Sequence, residues 1–114
     1  MEYSIIPYEE RKWTVYVHEN KINGKKYVGI TSKTNPNDRW RNGRGYDGSP
    51  QFYNAIRKYG WDNFNHIIVV NSVTKNEACN IEIMLISALN TRNSEYGYNF
   101  YIGGTAGVTG LKMS

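Results

Sequence analysis

The sequence predicts an α+β domain: a small, mostly antiparallel three-stranded sheet that starts with a β-hairpin and is packed by helices. Apolar and polar residues alternate through Trp13–Asn20 and again through 25–32, on either side of Asn23-Gly24. A third apolar run, rich in β-branched residues, covers 64–71. Segments with helical spacing and cap signals lie between and after these strands, the clearest being T-x-x-E at Thr74 and Glu77.

In the first strand Trp13, Val15 and Val17 fall on one side and Thr14, Tyr16 and His18 on the other, which is strand periodicity. Asn23-Gly24 is a strong signal for a two-residue type I′ turn. With that turn, Tyr16 stands opposite Thr31, His18 opposite Gly29 and Asn20 opposite Tyr27. Tyr16, His18, Tyr27, Gly29 and Thr31 then share one face, while Val15, Val17, Val28 and Ile30 form a core face.

Asn35-Pro36 supplies an N-cap and a first-turn proline, so a helix is expected over 36–42. The glycines of 43–49 mark a loop. Pro50–Tyr59 reads as a second helix, with Phe52, Ala55, Ile56 and Tyr59 on one stripe and Gly60 as its stop. The strand at 64–71 follows. The capping box then opens a helix over Lys75–Leu89, with Ala78, Ile81, Leu85, Ala88 and Leu89 as its apolar stripe. Beyond it the chain is mostly loop, with tight turns at Gly97 and Gly103-Gly104.

With 114 residues, 39% of them hydrophobic, the chain has the length and composition of one folded domain. The net charge of +4 and pI near 9.2 suit a polyanionic partner without establishing one. Ten tyrosines suit a wet surface that stacks, hydrogen-bonds or moves protons. Cys79 is the single cysteine, which excludes an intramolecular disulfide and argues against a cysteine-based zinc site. The N-terminus is polar, with Glu2, Glu9 and Glu10, and no apolar run is long enough to span a bilayer. A cytoplasmic, non-membrane protein is expected.

Three features stand out chemically. The hairpin face carries two tyrosines flanking Gly29; a strand glycine marks either a bulge or a close approach, and a phosphodiester is one candidate for the gap. Glu82 falls inside the apolar stripe of the last helix. A carboxylate there is either paired with a cation, exposed at a cleft, or a ligand of a metal such as Mg²⁺, which often takes one or two protein oxygens. The stretch Arg39-Trp40-Arg41-Asn42-Gly43-Arg44-Gly45-Tyr46 interleaves arginines suited to phosphate with rings able to stack. Trp40 is expected in the core.

In order and spacing these pieces resemble the GIY-YIG nuclease family. Thr14-Val15-Tyr16 stands for its first signature element and Tyr27-Val28-Gly29 for the second; Arg39-Trp40, Glu82 and Gly97-Tyr98-Asn99 stand for its arginine, glutamate and asparagine. The resemblance covers about 13–104, and the run from Lys58 to Phe64 is similar to a phage-type variant. The first signature glycine is Thr14 here. Many members carry a histidine or tyrosine soon after the arginine; Gly43 stands four residues on, so that role is either empty or passes to Tyr46. Residues 1–104 are thus expected to form the nuclease-like domain. The Gly-rich 105–114 are similar at their end to the start of a DNA-binding repeat, as if cut from a longer protein or naturally lacking that module.

The resemblance implies a metal-dependent DNA endonuclease, phage-encoded or of homing type, that hydrolyses phosphodiester bonds with one Mg²⁺, Mn²⁺ being a substitute. It implies Tyr16, Tyr27, Arg39, Glu82 and Asn99 as catalytic residues, with Glu82 as metal ligand. Tyr16 is the expected general base, with Tyr27 the alternative, and Asn99 would position phosphate or a loop. Arg41, Arg44, Tyr46, Gly29 and His18 are the expected DNA-binding residues, with His18 on an exposed strand face. The partner is DNA, met as a monomer or a transient dimer. A DNA-binding module of the same fold without catalysis is the competing reading.

Overall fold

The computed structural model describes residues 11–104. Its sheet has three antiparallel strands, β1 (Trp13–Asn20), β2 (Lys26–Thr31) and β3 (Phe64–Val73), in the order β2-β1-β3. Helices α1 (Asn37–Trp40), α2 (Pro50–Tyr59) and α3 (Lys75–Leu89) complete the α+β fold, with 3₁₀ segments at Arg41–Tyr46 and Trp61–Asn63.

The hairpin differs from the predicted one in register. Tyr16 pairs with Gly29 and His18 with Tyr27. A type I′ turn needs positive φ at both central residues, but of Asn23 and Gly24 only Gly24 has it (φ 78°). The Asn20 and Asn23 side chains instead accept hydrogen bonds from the Ile22 and Lys25 backbone. The turn becomes a four-residue loop closed by Asn20 N–H donating to the Lys25 carbonyl at 2.8 Å. A two-residue shift preserves parity, so the same side chains share each face.

Both faces are buried, which corrects the expectation of one exposed face. Val15, Val17 and Val28 pack against Ala78 and Ile86 of α3. On the opposite face Tyr16 packs with Trp40, Tyr46, Phe52, Ile56, Phe64 and Tyr98. The result is three layers with β1 as the buried central strand. In α3 the buried line is Ala78, Glu82 and Ile86; Ile81, Leu85 and Leu89 of the predicted stripe pack partly buried against the same core, and Ala88 is exposed. The capping box forms as predicted, Thr74 and Glu77 each bonding the other's backbone N–H.

Helix α1 is shorter than 36–42. Pro36, not Asn35, is the residue at its N-cap, with no side-chain cap bond, although the Asn35 Oδ1 accepts from Asn37 N–H. Arg41, Asn42 and Gly43 all take positive φ, which ends the helix at Trp40. Gly43 is required there: a Cβ would lie 2.8 Å from Ile56 Cγ2. Trp40 is buried, as expected. Among the described residues no helix is long and apolar enough to cross a membrane. The expected tail, 105–114, lies outside the described residues.

Candidate active site

The site forms at the β2 edge of the sheet. The chain after α3 covers the first half of that edge. Lys26 bonds the Tyr96 carbonyl and Tyr98 N–H, and Asn99 clamps Val28 with two bonds, accepting from its N–H at 2.8 Å and donating to its carbonyl at 2.9 Å. Beyond Val28 the edge lines a cleft of about 330 Å³ together with Trp13, Tyr16, Tyr27, Arg39 and Glu82. Side chains from both faces thus converge by reaching around the open edge: the tyrosines and Arg39 from one layer, Glu82 from α3 in the other.

Tyr16 is buried on β1, directly across from Gly29. Gly29 is needed because the Tyr16 ring occupies the space above it: a Cβ would sit 2.6 Å from the Tyr16 Cζ and hydroxyl. The gap expected for a phosphodiester is therefore filled by tyrosine, although Gly29 still lines the cleft. Burial pushes the Tyr16 hydroxyl well above its ordinary value, and Tyr27 raises it further; a hydrogen bond with Tyr46 and the charge of Arg39 pull the other way. Tyr27 stacks on Phe52 with centroids 4.5 Å apart. It too is pushed up by burial, against the pull of Arg39 and a Ser49 hydrogen bond.

Arg39 is half-buried at the end of α1. It donates from Nη1 to the Gly45 carbonyl and lies over the Tyr46 ring, 4.5 Å from its centroid. A Cβ on Gly45 would collide with the Arg39 carbonyl, so the backbone here closes tightly around the guanidinium. The guanidinium is held by one bond and one ring, and Arg39 also lines the cleft.

Glu82 is 8% exposed, yet it makes no ion pair among the described residues. Its Oε1 accepts from Gly104 N–H at 2.8 Å. Burial raises its pKa and that backbone bond only partly offsets the rise. A largely buried carboxylate with no cationic partner, open to a cleft, has the chemistry of a single-carboxylate Mg²⁺ site whose remaining ligands are water and phosphate oxygens. No group of three or more acidic, histidine or cysteine side chains offers another metal site among the described residues.

Several predicted contacts need correction. His18 is fully buried, not on an exposed strand face: Trp40, Tyr46, Phe52 and Trp61 all pack around its ring. Tyr46 is fully buried as well and bonds Tyr16 and His18, so neither side chain has a surface for a DNA strand. Asn99 has both ends of its amide on Val28, which makes it a loop anchor. Arg41 and Arg44 are exposed and do not line the cleft. Three contributors gave no signal in the sequence: Ser49 and Gly104, which act through Tyr27 and Glu82, and His66, the β3 partner of His18. Only strand pairing identifies His66, 48 positions away.

The model of the GIY-YIG catalytic domain matches residues 12–99, and the chain belongs to the GIY-YIG nuclease family. It is 38% identical over 95 residues to a protein of Enterobacteria phage T4 named "Putative endonuclease segE", a match covering 82% of this chain and 43% of that relative. The chain thus spans less than half the length of that relative. No solved structure gives a significant match.

Proposed function

We propose that this domain is a metal-dependent DNA endonuclease that hydrolyses one phosphodiester per site visit. The observation that carries the reading is the convergence of Tyr16, Tyr27, Arg39 and Glu82 on one cleft at an open sheet edge. Tyr16 accepts the proton of the attacking water. Tyr27 orients water and phosphate from the same strand edge. Arg39 stabilises charge on the non-bridging oxygens, with its guanidinium held ready by Gly45 and Tyr46. Glu82 would hold Mg²⁺, or Mn²⁺ in its place, which supplies Lewis-acid stabilisation of the phosphate and the leaving oxygen. Asn99 holds the C-terminal loop against β2, and Arg41 and Arg44 supply exposed positive charge along the approach of the DNA backbone.

Plasmid nicking by the wild type, Tyr16→Phe, Arg39→Ala and Glu82→Ala, with Mg²⁺ and with EDTA, tests this. Wild-type cleavage should require the metal. Arg39→Ala should lose on the order of 100-fold or more in rate. Cleavage that ignores EDTA, or survives Glu82→Ala undiminished, sinks the one-metal reading. Salt-dependent DNA binding without turnover under any divalent metal supports the binding module instead.

A further inference from the structure

A buried tyrosine is a poor terminal base, because burial disfavours its ionised form. Tyr16 is not isolated, however. Its hydroxyl lies 2.9 Å from that of Tyr46, and the Tyr46 hydroxyl lies 2.8 Å from His18 Nε2. His18 Nδ1 lies 2.9 Å from His66 Nδ1. His66 is half-buried on edge strand β3, across the sheet from the cleft. Every group in this chain both donates and accepts, and every link is at hydrogen-bond length. Rings of Trp40, Phe52 and Trp61 surround His18 at centroid distances of 4.7, 5.5 and 5.0 Å, which keeps water off the middle of the path.

We propose that Tyr16, Tyr46, His18 and His66 form a proton relay that carries the nucleophile's proton from the cleft across the sheet face to His66. The proposal rests on the nuclease reading for its first step. In the resting arrangement the Tyr46 hydroxyl donates to Tyr16, so the two hydroxyls first rotate until Tyr16 donates to Tyr46 and Tyr46 to His18. Then, as the water oxygen bonds to phosphorus, its proton passes to the Tyr16 oxygen and the Tyr16 proton passes to Tyr46. The Tyr46 proton passes to His18 Nε2, and the His18 Nδ1 proton passes to His66 Nδ1. One proton leaves water and one arrives on His66, which becomes imidazolium and releases it to solvent. The bond from phosphorus to the leaving oxygen breaks with its electron pair going to that oxygen. No member of the chain other than His66 ends the step with a changed charge. Tyr16, Tyr46, His18 and His66 are all neutral at rest.

The surroundings of the two histidines agree with this division of labour. His18 is held neutral, chiefly by burial, then by His66 and Arg39. His66 is lowered by burial and by Lys21 but raised by the Trp61 backbone and by Asp62, so it keeps the better access to a proton. The titratable and charged groups facing the pair are therefore Tyr16 from β1, Tyr27 from β2, Tyr46 from the 3₁₀ segment after α1, Lys21 from the hairpin loop, Asp62 from the second 3₁₀ turn and Arg39 from α1. His66 also stacks on Trp61 at 4.0 Å, which fixes its ring toward His18.

The relay has a signature that does not need catalysis. When His66 is protonated its Nδ1 must donate, so His18 must present a lone pair at Nδ1 and carry its proton on Nε2. When His66 is neutral the chain is free to reverse, with His18 protonated at Nδ1. Imidazole ¹⁵N chemical shifts of the full chain, followed through the histidine titration range, should show His18 neutral throughout and changing tautomer in step with His66. In nicking assays kcat should rise with pH as His66 loses its proton. His66→Gln should lower kcat on the order of 100-fold with KM little changed, and remove that limb of the profile. Added imidazole should restore rate to His66→Ala, whose position is open to solvent. Tautomers of His18 that stay fixed while His66 titrates, or a His66→Gln enzyme with the wild-type rate and pH profile, overturn the relay. A wild type that shows the coupled tautomer change and never cuts DNA overturns the nuclease reading and leaves the hydrogen-bonded path in place.

Discussion

Glu82 and Gly29 show how single residues here trade stability for a site. The Glu82 carboxyl has a raised pKa in the fold, so the folded state binds its proton more tightly than the unfolded chain. Its contribution is favourable below the ordinary value of 4.5 and is lost as pH rises through the raised folded value. At neutral pH in EDTA, Glu82→Gln should therefore melt higher than the wild type while losing cleavage. Mg²⁺ should raise the melting temperature of the wild type alone. A variant that melts lower, or that still responds to Mg²⁺, contradicts the assignment. Gly29→Ala acts in the opposite sense. Its new Cβ would press on the Tyr16 hydroxyl, which is wedged against Trp40 and Tyr46 and cannot yield freely. Overpacking of this kind costs roughly 1–3 kcal/mol. Urea melts should show that loss, and the nicking rate should fall with it because Tyr16 is displaced.

At the scale of elements, local signals and their outcomes can be compared directly. The Thr74 and Glu77 capping box predicts the start of α3, and both reciprocal bonds form. Thr74→Ala should cost about 1 kcal/mol, seen as a lower urea midpoint, while leaving the nicking rate at low temperature unchanged, since the cap is remote from the cleft. Helix α2 likewise runs from Pro50 to its Gly60 stop, where φ is 88° and the Gly60 N–H bonds the Ile56 carbonyl. These segments were legible because a cap acts over three or four residues. The hairpin loop was not: Asn23-Gly24 names a turn, but the Asn20 and Asn23 side chains and the bond from Asn20 Nδ2 to the Tyr98 hydroxyl select a longer one. Tyr98 is 78 positions away from Asn20. Helix α1 stopped early for a similar reason, because packing of Gly43 against Ile56 and Trp61 outweighs helical continuation.

For the whole molecule, buried titratable groups set the pH range of stability. His18 has a folded pKa far below its ordinary 6.5, so only the unfolded chain takes up its proton as pH falls below that value. Its stabilising share is intact above 6.5 and declines on acidification. Tyr16 and Tyr46 have folded values well above 10.0, so their share is intact below 10.0 and is lost as pH rises beyond it. Urea midpoints should therefore be highest between about 6.5 and about 10 and fall on both sides. His18→Phe should flatten the acid limb; an unchanged limb refutes the assignment to His18. Sequence period alone determined which side chains share a face of the hairpin, because parity survives a two-residue slip, and the motif residues in their order along the chain carried the family resemblance. Only the tertiary structure decided that the tyrosine face is a core face, that His18 and Tyr46 are buried, that Asn99 clamps Val28, and that Glu82 meets the tyrosines around the open edge of β2. Burial and proximity are set by pairs such as His18 and His66, which lie 48 residues apart and become neighbours only when β3 closes against β1.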